Sequence, residues 1–320
     1  MSTRASTRAG YDVVDGDVDG WASVTLVSGT GGLRATFVPE LAMLGTSLML
    51  ESDELLGQRS GVRAYVEHAS TMGIPLLHPW ANRLDPPRVG DSRHRVDTSS
   101  RLVHCDDYGL PIHGLHLVDF SWERTACFAD DRGAYLEACL RFDDPALVAE
   151  FPYPHEILVN VSLVESTLTI DTQVRADCDR SVPLAFGWHP YFRLPRDARP
   201  DWIVGLPATR KALLDGRMLP TGAIEEIHPE IARLGHRTFD DLYTGLGSGV
   251  FTLEGEHTRI EVAFGEGYSW AQVFAPANDD VVAFEPMVAP TNALATGVGL
   301  QIVENGQTFS AIYSITATKP

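Results

Sequence analysis

The sequence has few cysteines and none at motif spacing. Cys105, Cys127, Cys139 and Cys178 lie far apart and form no CxxC. That argues against a disulfide framework or a zinc knuckle and suits buried thiols in a reducing cytoplasm. No run of about 18 apolar residues is present, so no membrane span is expected. The stretch from Met1 to about Gly20 is rich in Ser, Thr and Arg, then acidic. It lacks the apolar stretch of a signal peptide and reads as a flexible tail. No GxGxxG, Walker or HExxH pattern occurs, so no metal, nucleotide or redox cofactor is expected. Basic residues are also scarce: 25 Lys and Arg against 43 Asp and Glu leave a formal charge of -18. Such a surface repels phosphate backbones, so nucleic acid is not an expected partner.

What is present is enough for a large core: 320 residues, 44% apolar, with 6 Trp, 9 Tyr and 13 Phe. Strand patterns dominate after residue 20. Val159–Leu163 alternates apolar and polar, turns at Glu165-Ser166, and alternates again over Leu168–Val174. That pattern predicts a hairpin. Ile260, Val262 and Phe264 alternate with polar or small residues, a Glu266-Gly267 turn follows, and then Trp270–Phe274. Phe309 to Thr316 alternates near the end. With 28 Gly and 20 Pro punctuating short segments, the expected architecture is all-β. We expect one large antiparallel β-sandwich domain over residues 21–320, behind a tail over 1–20.

Four segments do not look like ordinary strand or turn. Gly73–Leu84 crowds His78, Pro79, Trp80, Asn82 and Arg83 together. The Arg83 fork could grip adjacent hydroxyls or brace a loop through backbone carbonyls. Leu110–His116 holds His113 and His116, with no obvious further metal ligands nearby. His113 precedes a glycine, where backbone can approach a ligand closely, and is the preferred site residue. In Phe186–Leu194, His189 sits between Trp188 and Pro190-Tyr191, a setting that tunes an imidazole for proton transfer or simply buries it. Glu285 ends an apolar strand, Val281 to Phe284. A carboxylate there is costly unless it is paired, for instance with Arg83, or does chemistry. Asp240-Asp241, beside an aromatic, reads by itself as a turn.

In this order, the segments resemble the aldose 1-epimerase (galactose mutarotase) family. The resemblance is carried by Asn82-Arg83, His113-Gly114, His189-Pro190-Tyr191-Phe192, Glu285-Pro286 and Ala289-Pro290-Thr291-Asn292, and spans roughly residues 20–318. The stretch His78-Pro79-Trp80-Ala81 departs from the better-known galactose enzymes and is closer to a divergent bacterial branch. The resemblance implies the galactose mutarotase-like supersandwich with a sugar cleft on one sheet. It implies Glu285 as catalytic base and His189 as catalytic acid. Arg83, His113, Asp240, Gln272 and Asn82 become substrate-binding residues, with Asp240 or Asp241 as the sugar-binding aspartate. The implied partner is an aldohexose such as glucose or galactose, handled in the cytoplasm by a monomer or homodimer.

That chemistry interconverts α and β anomers of a free aldose. A base takes the proton of the C1 hydroxyl, an acid protonates the ring oxygen, and the two are expected on opposite sides of the ring. No cofactor is required. Two alternatives share the fold: a hexose-6-phosphate mutarotase, for which Arg63, Arg88 and Arg193 are candidate phosphate ligands, and a non-catalytic sugar-binding protein. A glycoside hydrolase lacks its second carboxylate partner for Glu285.

Overall fold

The computed structural model describes residues 10–176, 180–247 and 249–320. Three antiparallel sheets carry most of the chain. The first is a five-stranded meander that starts with Tyr11–Val18 and Trp21–Ser28. The second has nine strands and includes the hairpin read from the sequence, His155–Val164 paired to Thr167–Arg175 with Val164 opposite Thr167. Burial alternates along both arms, because successive side chains point to opposite faces. The long C-terminal strand Thr308–Thr318 lies beside Thr167–Arg175 in the same sheet. The third sheet has eight strands. From its middle to one edge it runs Phe239–Thr244, Trp270–Ala275, Val282–Met287, Gly187–Trp188, Leu76–Leu77.

The Glu266-Gly267 turn does not join paired strands. Arg259–Phe264 belongs to the nine-stranded sheet and Trp270–Ala275 to the eight-stranded one, so the chain changes layer there. Aromatic contacts lock these two layers face to face. Phe251 meets Phe284 with ring centroids 5.3 Å apart, and Trp188 meets Tyr313 at 6.2 Å. Trp188 also donates its indole N–H to Thr172 Oγ1 at 2.9 Å, so the buried polar tip is satisfied. Each such fully buried ring contributes about 1.5–3 kcal/mol relative to exposure. Helices are short and few among the described residues: Gly61–His68, Pro145–Glu150 and Ala293–Thr296 are the α-helical ones. None is long and apolar enough to cross a membrane.

Three expectations need correction. The proposed tail ends early, since Tyr11–Val18 pairs along its whole length with Trp21–Ser28. Tyr11 and Val13 pack on the core, while Asp12, Asp15 and Asp17 hide that alternation in an acidic sequence. Residues 1–9 lie outside the described residues. The thiols of Cys105, Cys127 and Cys139 are half-buried rather than buried; Cys178 lies outside the described residues. Glu285 does not end its strand. Pairing continues through Pro286 to Met287, opposite Ala271 and Trp270.

Candidate active site

The eight-stranded sheet turns one face to the core and the other to a cavity of about 270 Å³. Register decides which side chains enter it. Gln272 lies directly opposite Glu285 on neighbouring strands, and Leu242 lies opposite Gln272. Residues two apart share a face, so Asp240 also joins Gln272. The Gln272 amide donates to Asp240 Oδ1 at 2.6 Å. Asp241 points the other way and pairs with Lys211 Nζ at 2.8 Å. Of the two adjacent aspartates, Asp240 is therefore the cavity residue.

His189 sits between the short strands Gly187–Trp188 and Tyr191–Phe192, with its backbone N–H bonded to Pro75 O. Its ring stacks on Tyr191 at 4.0 Å and is edged by Phe274. Thus held, its Nε2 lies 3.2 Å from Glu285 Oε1. Glu285 and His189 are thus direct neighbours, where the sequence reading set them apart on opposite sides of a ring. Both side chains are almost completely buried. Burial pushes the Glu285 carboxyl well up, with Asp240 adding to the rise and Arg83 opposing it. Burial pushes the His189 imidazole well down, helped by His113 and Arg59. Both groups are driven toward their neutral forms.

Arg83 and Asn82 come from the segment after Trp80. The Asn82 carboxamide oxygen accepts from the Arg83 backbone N–H at 2.9 Å and from its guanidinium at 3.2 Å. An Arg83–Glu285 ion pair, one of the readings left open by the sequence, is absent among the described residues. Arg83 instead donates through Nε to Asp106 Oδ2 at 2.6 Å and lies 3.8 Å from Asp240. This brace through side chains leaves the guanidinium in the cavity wall.

His113 also lines the cavity, its ring 5.3 Å from that of His189. Its φ is +65°, and Gly114 follows at +77°. A Cβ on Gly114 would lie 2.2 Å from the His78 carbonyl oxygen. The glycine is needed for close approach to protein backbone rather than to a ligand, a second correction. Burial pulls His113 down to about 3, so it is neutral across the ordinary pH range. His116 is structural: its Nε2 contacts Val66 O at 2.9 Å. Among the described residues, neither histidine belongs to a group of three candidate metal ligands.

The sequence-level phosphate candidates Arg63, Arg88 and Arg193 do not line the cavity; Arg59 does. Its guanidinium lies over the Tyr191 ring at 4.8 Å and 3.4 Å from Asp279. Arg59 and Asp106 were both missed. Asp106 has the look of a turn residue, and it does cap the backbone N–H groups of Tyr108 and Leu110. The need of a half-buried Arg83 for a counter-ion was the signal that could have found it.

Several buried polar atoms of cavity residues have no protein partner: Glu285 Oε2, Gln272 Oε1 and His113 Nδ1. Unpaired buried polar groups cost about 1–3 kcal/mol each.

Solved structures share this architecture. The Slr1438 protein of Synechocystis sp. PCC 6803 is 22% identical, with all of both chains covered and a TM-score of 0.74. A galactose mutarotase-like protein of Clostridium acetobutylicum is 15% identical with a TM-score of 0.81, covering 97% of this chain and 99% of its own. The galactose 1-epimerase of Lactobacillus acidophilus NCFM is 13% identical with a TM-score of 0.77, covering 97% and 98%. At these identities the likeness shows the fold. No curated protein matches the sequence. The sequence model described as aldose 1-epimerase matches residues 46–316, and on that match the chain belongs to the aldose 1-epimerase family.

Proposed function

We propose that the protein is an aldose 1-epimerase that interconverts the anomers of a free aldohexose, with Glu285 as base and His189 as acid. The observation that carries this reading is the buried contact of 3.2 Å between Glu285 Oε1 and His189 Nε2 in the cavity wall. The two oxygens that must exchange protons, O1 and the ring oxygen O5, are bonded to the same carbon. An adjacent acid and base suit them better than an opposed pair.

In the first half of the reaction, Glu285 takes the O1 proton while protonated His189 gives one to O5. The C1–O5 bond breaks and the O1 electron pair forms the aldehyde. Protein charge falls from a carboxylate–imidazolium pair to two neutral groups. Burial favours the neutral pair at rest as well, so the reactive carboxylate–imidazolium pair forms by transfer of the carboxyl proton to His189 across the 3.2 Å contact, and ring opening returns both groups to their favoured neutral forms. Rotation about C1–C2 turns the other face of the aldehyde to O5. Closure returns each proton, so the cycle consumes nothing.

Arg83, His113, Asp240 and Gln272 hold sugar hydroxyls in this reading, and Asn82 orients Arg83. The unpaired thiols support a cytoplasmic setting. Arg59 in the wall is the observation that favours testing phosphorylated sugars as well. Anomer exchange followed by NMR across free and phosphorylated sugars is the decisive experiment. We expect exchange of free glucose or galactose. Competition by glucose 6-phosphate but not by glucose would assign the protein to phosphosugars. Tight binding without acceleration would make it a binder.

A further inference from the structure

Arg83 stands on a stretch that has little strand pairing of its own. Residues 82–85 form an isolated bridge at Arg83 and otherwise an irregular bend. Backbone polar groups of such a stretch must be satisfied from outside. One side is bonded to the 111–113 segment: His113 N–H donates to Asn82 O and Leu84 N–H to Pro111 O. The other side is bonded almost entirely by one residue, Asn292. Its backbone N–H donates to Arg83 O at 3.1 Å. Its carboxamide oxygen accepts from Asp85 N–H at 2.7 Å, and its amide donates to Asp85 O at 2.6 Å.

We infer that Asn292 is a positioning residue for Arg83, holding the peptide of Asp85 so that the guanidinium stays in the cavity wall. Asn292 does not itself line that cavity. It acts from 207 positions away in sequence, across the wall that the 82–85 segment forms. Its own backbone is suited to the task. A φ of +68° places it in the left-handed region, which asparagine tolerates better than most residues. Its carbonyl accepts from the N–H groups of Ala295 and Thr296, anchoring it on the short helix Ala293–Thr296. The chemistry also excludes close substitutes. Aspartate keeps the acceptor for Asp85 N–H but loses the donor to Asp85 O, and glycine keeps the backbone conformation but loses both.

This inference rests on Arg83 being a sugar-holding group, and the test separates the two. Asn292→Gly preserves the left-handed backbone and removes the clamp. In the anomer-exchange assay we expect KM to rise about tenfold, with kcat changed less than about threefold. In an Arg83→Ala background the same substitution should add nothing, because its effect passes through Arg83. Equal losses in both backgrounds would mean a merely structural role and overturn the inference. Asn292→Asp should recover part of the KM. If Arg83→Ala alone leaves KM unchanged, the sugar-holding reading of Arg83 fails instead. A readout without sugar keeps the clamp testable even then: the Arg83 Nε–H resonance, set by its bond to Asp106, should shift or broaden in Asn292→Gly. An unchanged resonance would count against the clamp.

Discussion

Phe284 and Glu285 are consecutive residues on one strand, both almost completely buried, and they face different worlds. Phe284 points to the neighbouring sheet and packs on Phe192 and Phe251. Glu285 points to the cavity, beside His189 and opposite Gln272. Val273 and Gln272 on the next strand divide in the same way. One face is a sealed apolar interface in which every contact stabilises the fold. The other holds buried polar groups with unpaired atoms, which cost stability. Burial alone therefore does not separate core from site. What separates them is the kind of group buried: hydrocarbon and aromatic rings on the core face, carboxylate, carboxamide and imidazole together on the cavity face.

The contrast breaks most sharply at Glu285. Replacing it by Gln should lower anomer exchange by about 10²–10⁴-fold, the range for a lost general base. Near-UV circular dichroism should be unchanged. Wild-type rates in polarimetry of freshly dissolved α-glucose and α-galactose would sink the assignment.

Its neighbour should behave in the opposite manner. Phe284→Ala empties a core position and should cost about 3–5 kcal/mol in urea unfolding. The exchange rate per folded molecule should stay near wild type.

Asp240 and Asp241 give a smaller version of the same comparison. Asp240→Asn should raise KM about tenfold, because it weakens the hold on the sugar. Asp241→Asn should leave KM within about twofold, since its partner is Lys211 on the other face. Equal effects would show that the register argument misplaces the site.

Stability against pH carries the last contrast. Glu285 binds its proton more tightly folded than unfolded. Its contribution is complete below the ordinary carboxyl range and is lost as pH rises toward the folded value. Glu285→Gln should therefore gain on wild type as pH rises, by about 1.4 kcal/mol per pH unit in that window. Urea midpoints at pH 5 and pH 8 test it. His78, His113 and His189 have the opposite sign. All three are lowered by burial, so they destabilise the fold as pH falls below the ordinary histidine value. The variant should accordingly lose stability more steeply than wild type on acidification.

Much of this was legible from residue order. The period-two pattern over 155–175 marked a hairpin because a half-buried antiparallel strand must alternate. The acidic run at 11–18 concealed a strand because its aspartates stand exposed on both faces, Asp12 on one and Asp15 and Asp17 on the face of Tyr11 and Val13. Glu285 and His189 stood out as polar groups in apolar or aromatic surroundings, and their sequence context carried the family resemblance. Asp106 and Arg59 did not stand out, because an aspartate in a turn and an arginine before a helix are ordinary until a cavity is placed beside them.

By itself the sequence determined an all-β chain, without a helical membrane span, whose ordered motifs mark the aldose 1-epimerase family. Those are properties of local pattern: alternation, turn chemistry and residue type. Only the tertiary structure decided that Glu285 and His189 touch, that Asp240 rather than Asp241 enters the cavity, and that Asn292 bonds the Arg83 segment. Each depends on sheet register or on bonds between segments up to about two hundred residues apart. A one-residue change of register would send Asp240, Gln272 and Glu285 to the opposite face.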